Sequence, residues 1–154
     1  MSSQYRKPGD ENLVKYTQLF INNEFVDSVS GKKFIDQDPV SLETICEVSE
    51  GDKADVEIAV ENANAAFKIG SKWRTMDACD RGDLLYKLAL KIEENFEYLA
   101  DLERMDVGKP ISEARIDVEY TIKTYKYFAG WADKNHGKTI PVGGNLMCYR
   151  VVLH

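Results

Sequence analysis

The period of the apolar residues changes twice along this chain and divides it into three stretches. From Gln18 to Val48 the apolar runs are short. Gln18-Leu19-Phe20-Ile21 and Glu24-Phe25-Val26 flank the pair Asn22-Asn23. Asn tolerates φ > 0, so a two-residue Asn turn between apolar runs predicts a β-hairpin. Lys33 to Gln37 and Thr44 to Val48 predict two further strands around a turn at Asp38-Pro39, completing one small antiparallel ribbon. From Gly51 the period becomes helical. Val56, Ala59, Val60, Ala63, Ala66 and Phe67 fall on one stripe, with Asp52 placed to cap it and Asp55 in the first turn against the dipole. Gly70-Ser71 ends this helix.

A second helix is predicted from Asp77 or Asp80 toward Asp106, carrying Leu85, Leu88, Ile92, Phe96 and Leu99 on one face. Gly108 can supply a left-handed stop, and Pro110 prevents continuation. A third helix covers about Ser112 to Lys134 and is apolar on two sides. Val118, Ile122, Tyr125, Ala129 and Ala132 form one stripe; Ile116, Tyr120, Tyr127 and Trp131 form another. Such a helix is buried between layers, or faces a layer on one side and a partner on the other. Beyond Gly137 the third stretch begins. Thr139-Ile140-Pro141, the turn Gly143-Gly144-Asn145 and Leu146 to Leu153 predict a second hairpin, whose long apolar last strand would be an association edge. Residues 1–16 are polar and aperiodic and read as an N-terminal arm.

Composition adds bounds rather than direction. With 154 residues, 44% hydrophobic and 30% charged, the chain reads as one globular domain or a piece of a larger one. No apolar run approaches a membrane span, and the first residues lack the apolar core of a secretory signal. A net charge of −6 without a basic stripe argues against nucleic acid as a partner. Cys46, Cys79 and Cys148 form no CxxC pair, which points to a reducing compartment, with the cytosol expected.

Candidate chemistry is sparse. Cys79 lies near a helix N-terminus, but Asp77 and Asp80 flank it and oppose a thiolate. Cys46 and Cys148 fall on strands and read as small packing residues. His136 follows the third helix, where capping its C-terminus suits a partial positive charge, and His154 is the last residue. The scattered His and Cys do not provide zinc spacing, and Glu93, Glu94 and Glu97 read as a solvated face. None of the ten glycines builds a phosphate-binding fingerprint. No catalytic, cofactor-binding or metal-ligating set is therefore expected within these residues.

The residue strings carry more. Leu19 to Phe25, Ser49 to Val56, Trp73-Arg74-x-Met76-Asp77-Ala78, Asp106-Val107-Gly108-Lys109-Pro110, and Tyr127 through Pro141 occur in order. Together they closely resemble the opening of an NAD(P)-dependent aldehyde dehydrogenase of the class 1/2 type, which acts on aldehydes and retinal. The resemblance runs over about residues 17–149. It implies an α/β class, α+β as an isolated piece: an N-terminal β-ribbon, three helices from the outer layer of a Rossmann-like NAD domain, and a hairpin of the oligomerisation arm. The implied divisions are 1–16 as arm, 17–136 as part of the NAD-binding domain, and 137–154 as the start of the oligomerisation arm.

The resemblance also implies limits. The family's nucleophilic cysteine, general-base glutamate and cofactor residues match no position in this chain. NAD would belong to the parent enzyme, as would its aldehyde substrate and its homo-oligomeric assembly, and the 154 residues alone are expected to be inactive. One functional position carries over: by register, Ile116 and Tyr120 line the mouth of the family's aldehyde tunnel, where a Tyr would favour smaller aldehydes. Core packing of both residues is the competing reading. Asp106 resembles a position near a structural cation in some members, yet Asp36 and Gln37 depart locally, so no metal is implied. The family's Asn-Pro-x-Thr-Gly-Glu turn appears as Asp38-Pro39-Val40-Ser41-Leu42-Glu43, and Leu for Gly implies an altered turn. Where the family runs Thr-Arg-x-Glu-Pro-x-Gly, this chain has Arg150 to His154, which reads as a shortened product. The alternative is a non-catalytic interaction protein whose exposed strands pair with full-length subunits; a lens role like that of some relatives finds no support in the residues. Without the covering parallel sheet, the three helices would pack on one another and leave apolar surface open.

Overall fold

The computed structural model describes residues 14–134, 136–140, 143–144, 146 and 148–151. The elements run β1 (Leu19–Ile21), β2 (Glu24–Val26), β3 (Lys33–Gln37), β4 (Thr44–Ser49), α1 (Lys53–Phe67), α2 (Lys72–Thr75), α3 (Ala78–Glu94), α4 (Phe96–Val107), α5 (Ile111–Ala129), β5 (Lys138–Ile140) and β6 (Cys148–Arg150). The class is α/β, as the resemblance implies. The expected single ribbon is instead two separate antiparallel pairs, β1–β2 and β3–β4. They are joined through the loop that leads to α1, where the Ser49 N–H donates to the Thr17 carbonyl at 2.8 Å and Glu50 N–H to Lys32 at 2.9 Å.

Local chemistry sets the first turns. Asn22 and Asn23 take φ of 54° and 64°, the double left-handed geometry of a tight hairpin. In the β3–β4 turn the Asp38 carboxylate accepts from the Val40 and Ser41 N–H groups at 2.8 and 3.2 Å. Leu42 holds φ 61°, the glycine-type conformation, despite its Cβ.

The expected long second helix is broken in two. At Asn95 the backbone leaves the helical region (φ −107°, ψ 19°), and the Asn95 amide donates to the Lys91 carbonyl at 2.8 Å while its own carbonyl starts α4. Asn competes with the ladder through such local bonds, so a continuous apolar stripe does not guarantee a continuous helix. The short α2, capped by the Ser71 hydroxyl, fills the interval before α3. The third helix ends at Ala129 rather than Lys134, with Gly130 as its C-cap.

Helices α3, α4 and α5 make the core. Ala89, Ala100, Ala114, Val118 and Ile122 are buried, with Ile92, Phe96, Leu99, Ile111 and Tyr125 packed around them. Small residues let the helices approach closely. A Cβ added at Gly82 of α3 would sit 2.7 Å from the Ala129 carbonyl oxygen of α5. Ion pairs lace the outside: Arg115 to Glu97 at 2.8 Å and Lys126 to Glu93 at 3.0 Å. Glu93 and Glu97 are thus exposed, as expected, but they also tie α5 to its neighbours.

The ribbon is fastened to this bundle at one glycine. Gly108 ends α4 with φ 73°, and a Cβ there would lie 2.8 Å from Pro39 Cγ and 2.9 Å from Val40 Cγ2. Both the sign of φ and the close approach of the β3–β4 turn require glycine. Lys109 then bridges α4 to α5, its Nζ 2.6 Å from Glu103 and 2.5 Å from Asp117. Pro110 opens α5. The string Gly108-Lys109-Pro110 is therefore a joint: stop, bridge, restart.

Helix α1 stands apart. Its N-terminus is closed by a capping box, with Asp52 accepting from Ala54 N–H at 3.0 Å and Asp55 accepting from Asp52 N–H at 2.9 Å. The second Asp55 oxygen accepts from Val29 N–H, also at 2.9 Å, fixing α1 to the turn after β2. Its predicted stripe is nonetheless bare. Val56, Val60 and Phe67 are more than half exposed.

Candidate functional site

Helix α5 positions the two residues that the sequence marks as a tunnel mouth. At 100° per residue, Ala114, Val118, Ile122 and Tyr125 fall on one side, and that side is the core. Ile116, Tyr120, Lys123 and Tyr127 fall on the opposite side. Ile116 is 48% and Tyr120 64% exposed, so neither is core packing within this chain. Near the helix end Tyr127 lies 5.2 Å from Phe128 and, just past it, 6.2 Å from Trp131, between ring centroids. Beside Tyr120, the Lys123 ammonium pairs with Glu119 at 2.6 Å. This face carries exposed apolar and aromatic side chains, interrupted by Lys123, on a helix whose other side is packed in the core.

A second concavity lies across the bundle. A groove of about 590 Å³ runs between β4 and the α4–α5 pair, with Ile45, Val48, Leu99, Leu102 and Val118 along its apolar walls. Its charged groups are acidic: Asp36, Glu103, Asp106 and Asp117. Burial, then repulsion from Asp106, pushes the Asp36 carboxyl above its ordinary value. Lys109 is already held between two of the carboxylates, which raise its amine well above the usual lysine range. The sequence reading missed this groove, because its walls come from segments more than fifty positions apart.

The individual candidates are placed as follows. Cys79 is at the start of α3 and exposed, with its Sγ 3.8 Å from an Asp133 oxygen. Cys46 is half-buried in β4; burial first, and then Asp36 and Asp106, push its thiol up, away from nucleophilic use. Cys148 is exposed on β6. His136 lies six residues beyond Gly130, so it does not cap α5; Lys126 is the basic group of that last turn. His154 lies outside the described residues, as do residues 1–13. Among the described residues no three His, Cys, Asp or Glu side chains group as a metal centre requires. Nor is any helix there long and apolar enough to cross a membrane.

Comparison with known proteins decides the lineage. The model described as "Aldehyde dehydrogenase family" matches residues 25–152. The chain belongs to the aldehyde dehydrogenase family. It is 55% identical over 137 residues to retinaldehyde dehydrogenase 3 of Rattus norvegicus, covering 88% of this chain and 27% of that protein. Identity is also 55% over 137 residues, with the same coverage, to aldehyde dehydrogenase, cytosolic 1, of Mus musculus. Among solved structures, the NAD+ complex of an aldehyde dehydrogenase from Bacillus cereus superposes with a TM-score of 0.81 at 39% identity, over 88% of this chain and 28% of that one. The chain thus spans about a quarter of the length of the relatives it matches, and that quarter is the N-terminal part of an aldehyde dehydrogenase.

The family uses NAD, so the described residues can be tested against a dinucleotide. A pyrophosphate needs free backbone N–H groups at a helix start, or a cation, without competing anions. Here the α1 start is closed by Asp52 and Asp55, and Asp77 and Asp80 bracket the α3 start. The large groove carries four carboxyl-bearing residues on its lining. These helix starts and this groove do not fit NAD.

Proposed function

We propose that these residues are the N-terminal portion of an NAD-dependent aldehyde dehydrogenase, which oxidises aldehydes to carboxylic acids through a thiohemiacetal on a cysteine outside this sequence. In that reading residues 17–136 belong to the NAD-binding domain and 137–154 begin a strand arm through which subunits assemble in the cytoplasm. The part of the reaction carried by these residues is substrate selection: Ile116 and Tyr120 form one wall of the aldehyde passage. One observation carries this. Both side chains stand exposed, one turn apart, on the side of α5 opposite its buried face. A passage wall needs a rigid backing and an apolar front, and α5 supplies both. Tyr120 is bulky, so it favours short aldehydes over long, branched ones.

The test uses a full-length family member carrying this sequence at its N-terminal quarter. Tyr120→Gly raises kcat/KM for retinal relative to acetaldehyde by roughly tenfold or more, the scale on which pocket shape discriminates. An unchanged ratio overturns the assignment. The purified 154-residue chain is expected to form no NADH when given aldehyde and NAD.

A further inference from the structure

The Tyr120 side chain is mostly exposed, so packing within this chain does not fix where its ring sits. A charged neighbour lies beside it. The Lys123 Nζ lies 5.8 Å from the centre of the Tyr120 ring, within the range over which an ammonium is drawn to an aromatic face. The same Nζ is 2.6 Å from a Glu119 oxygen. Helical side chains lean toward the N-terminus, so Lys123 reaches back over Tyr120 three residues earlier and Glu119 four residues earlier. The hydrogen bond from Lys123 to Glu119 raises the lysine above its ordinary value, so the ammonium stays charged at any working pH.

We propose that Lys123 is a positioning residue: tethered by Glu119, its ammonium holds the Tyr120 ring in the pose that narrows the aldehyde passage. This rests on the assignment of Ile116 and Tyr120 to that passage. Lys123 acts on selectivity through the ring, by keeping a tyrosine that could swing aside from doing so. The consequence is specific. Removing the ammonium relaxes discrimination against bulky aldehydes only while Tyr120 is present.

The experiment compares kcat/KM for retinal and for acetaldehyde in the full-length enzyme and in its Lys123→Met, Lys123→Arg, Tyr120→Gly and Tyr120→Gly/Lys123→Met variants. Lys123→Met is expected to raise the retinal-to-acetaldehyde ratio about two- to fivefold, through the KM for retinal, the scale of an exposed cation–π contact. Lys123→Arg keeps the parent ratio, since arginine retains both the charge and the reach. In the Tyr120→Gly background Lys123→Met adds nothing. If Tyr120→Gly shifts the ratio and Lys123→Met does not, the positioning role is wrong and the passage assignment stands. An equal Lys123→Met shift with and without the tyrosine also overturns the role. If Tyr120→Gly itself changes nothing, the passage assignment fails and the positioning role falls with it.

Discussion

Helices α1 and α5 make opposite use of the same signals. Helix α1 has a reciprocal capping box at Asp52 and Asp55 and an apolar stripe from Val56 to Phe67, yet most of that stripe faces solvent. Helix α5 begins at Pro110 with no side-chain capping bond, yet Ala114, Val118 and Ile122 are buried beneath it. Capping and propensity decide that a helix forms and where it starts. Whether its apolar side is covered depends on another element arriving there, and for α1 the cover among the described residues is confined to its end, where Arg74 of α2 lies 4.4 Å from the centre of the Phe67 ring. Stability in this chain is therefore concentrated in α3–α5, while α1 is held mainly by its N-terminus.

That contrast can be broken at its strong end. Ile122→Ala removes buried methyl groups from the α3–α5 core and is expected to destabilise the chain by about 2–5 kcal/mol, read as the shift of the urea midpoint. A cost below about 0.5 kcal/mol would mean that the bundle is not the stability centre. Gly82→Ala tests the closeness of α3 to α5. Alanine usually gains over glycine in a helix, but here its methyl would collide with the Ala129 carbonyl, and overpacking costs about 1–3 kcal/mol. A more stable variant would show that the two helices can separate freely.

The fastening of α1 is the next lever. Asp55 is 4% exposed and accepts from both Asp52 and Val29 N–H groups, which hold its carboxyl below the ordinary 3.8. A carboxyl with a lowered value in the fold stabilises the fold when ionised. Its contribution is complete well above pH 3.8 and fades as the pH falls through the folded value. Asp55→Ala is expected to lower Tm by roughly 5 °C at pH 7, and the gap to the parent chain should close in acid. A gap that stays constant down to about pH 2 would assign the loss to packing rather than to the ionised acceptor.

Two smaller effects sharpen the picture. Leu42 keeps φ 61° at a cost that glycine would not bear, so Leu42→Gly is expected to stabilise by about 1 kcal/mol. A destabilised variant would mean that the Leu42 side chain has a use that its exposure hides. Val60→Ser, on the bare side of α1, should change stability by less than about 0.5 kcal/mol in the isolated chain. A large loss would mean that Val60 is covered within the chain itself, and the comparison between the two helices would have to be redrawn.

Much of the fold was legible in the residues. The Asn22-Asn23 turn, the Asp52 start of α1, the Gly108 stop and the two-sided character of α5 follow from local rules about φ, capping and period, which act over a few residues. The errors share a cause. Asn95 interrupts an unbroken apolar stripe, because a side-chain bond to Lys91 competes with the helical ladder. Trp131 and Ala132 extend the apolar pattern of α5 beyond Ala129, where the backbone has already turned. Of the candidate site, the stripe of Ile116 and Tyr120 was visible in spacing and its role in resemblance. The brace at Lys123 was not, since a lysine four residues after a glutamate reads as an ordinary surface pair until the ring beneath it is placed.

The sequence by itself determined most of the element types, the family and the two apolar stripes of α5. Spacing and φ preference are local properties, and the family's strings are long enough to be specific. Only the tertiary structure decided which apolar stripe became core, that Asp55 ties two segments rather than one helix end, and that Gly108 carries the weight of the β3–β4 turn. Each of these depends on two pieces of chain distant in sequence meeting at a few ångströms, and no periodicity along one of them records where the other will lie.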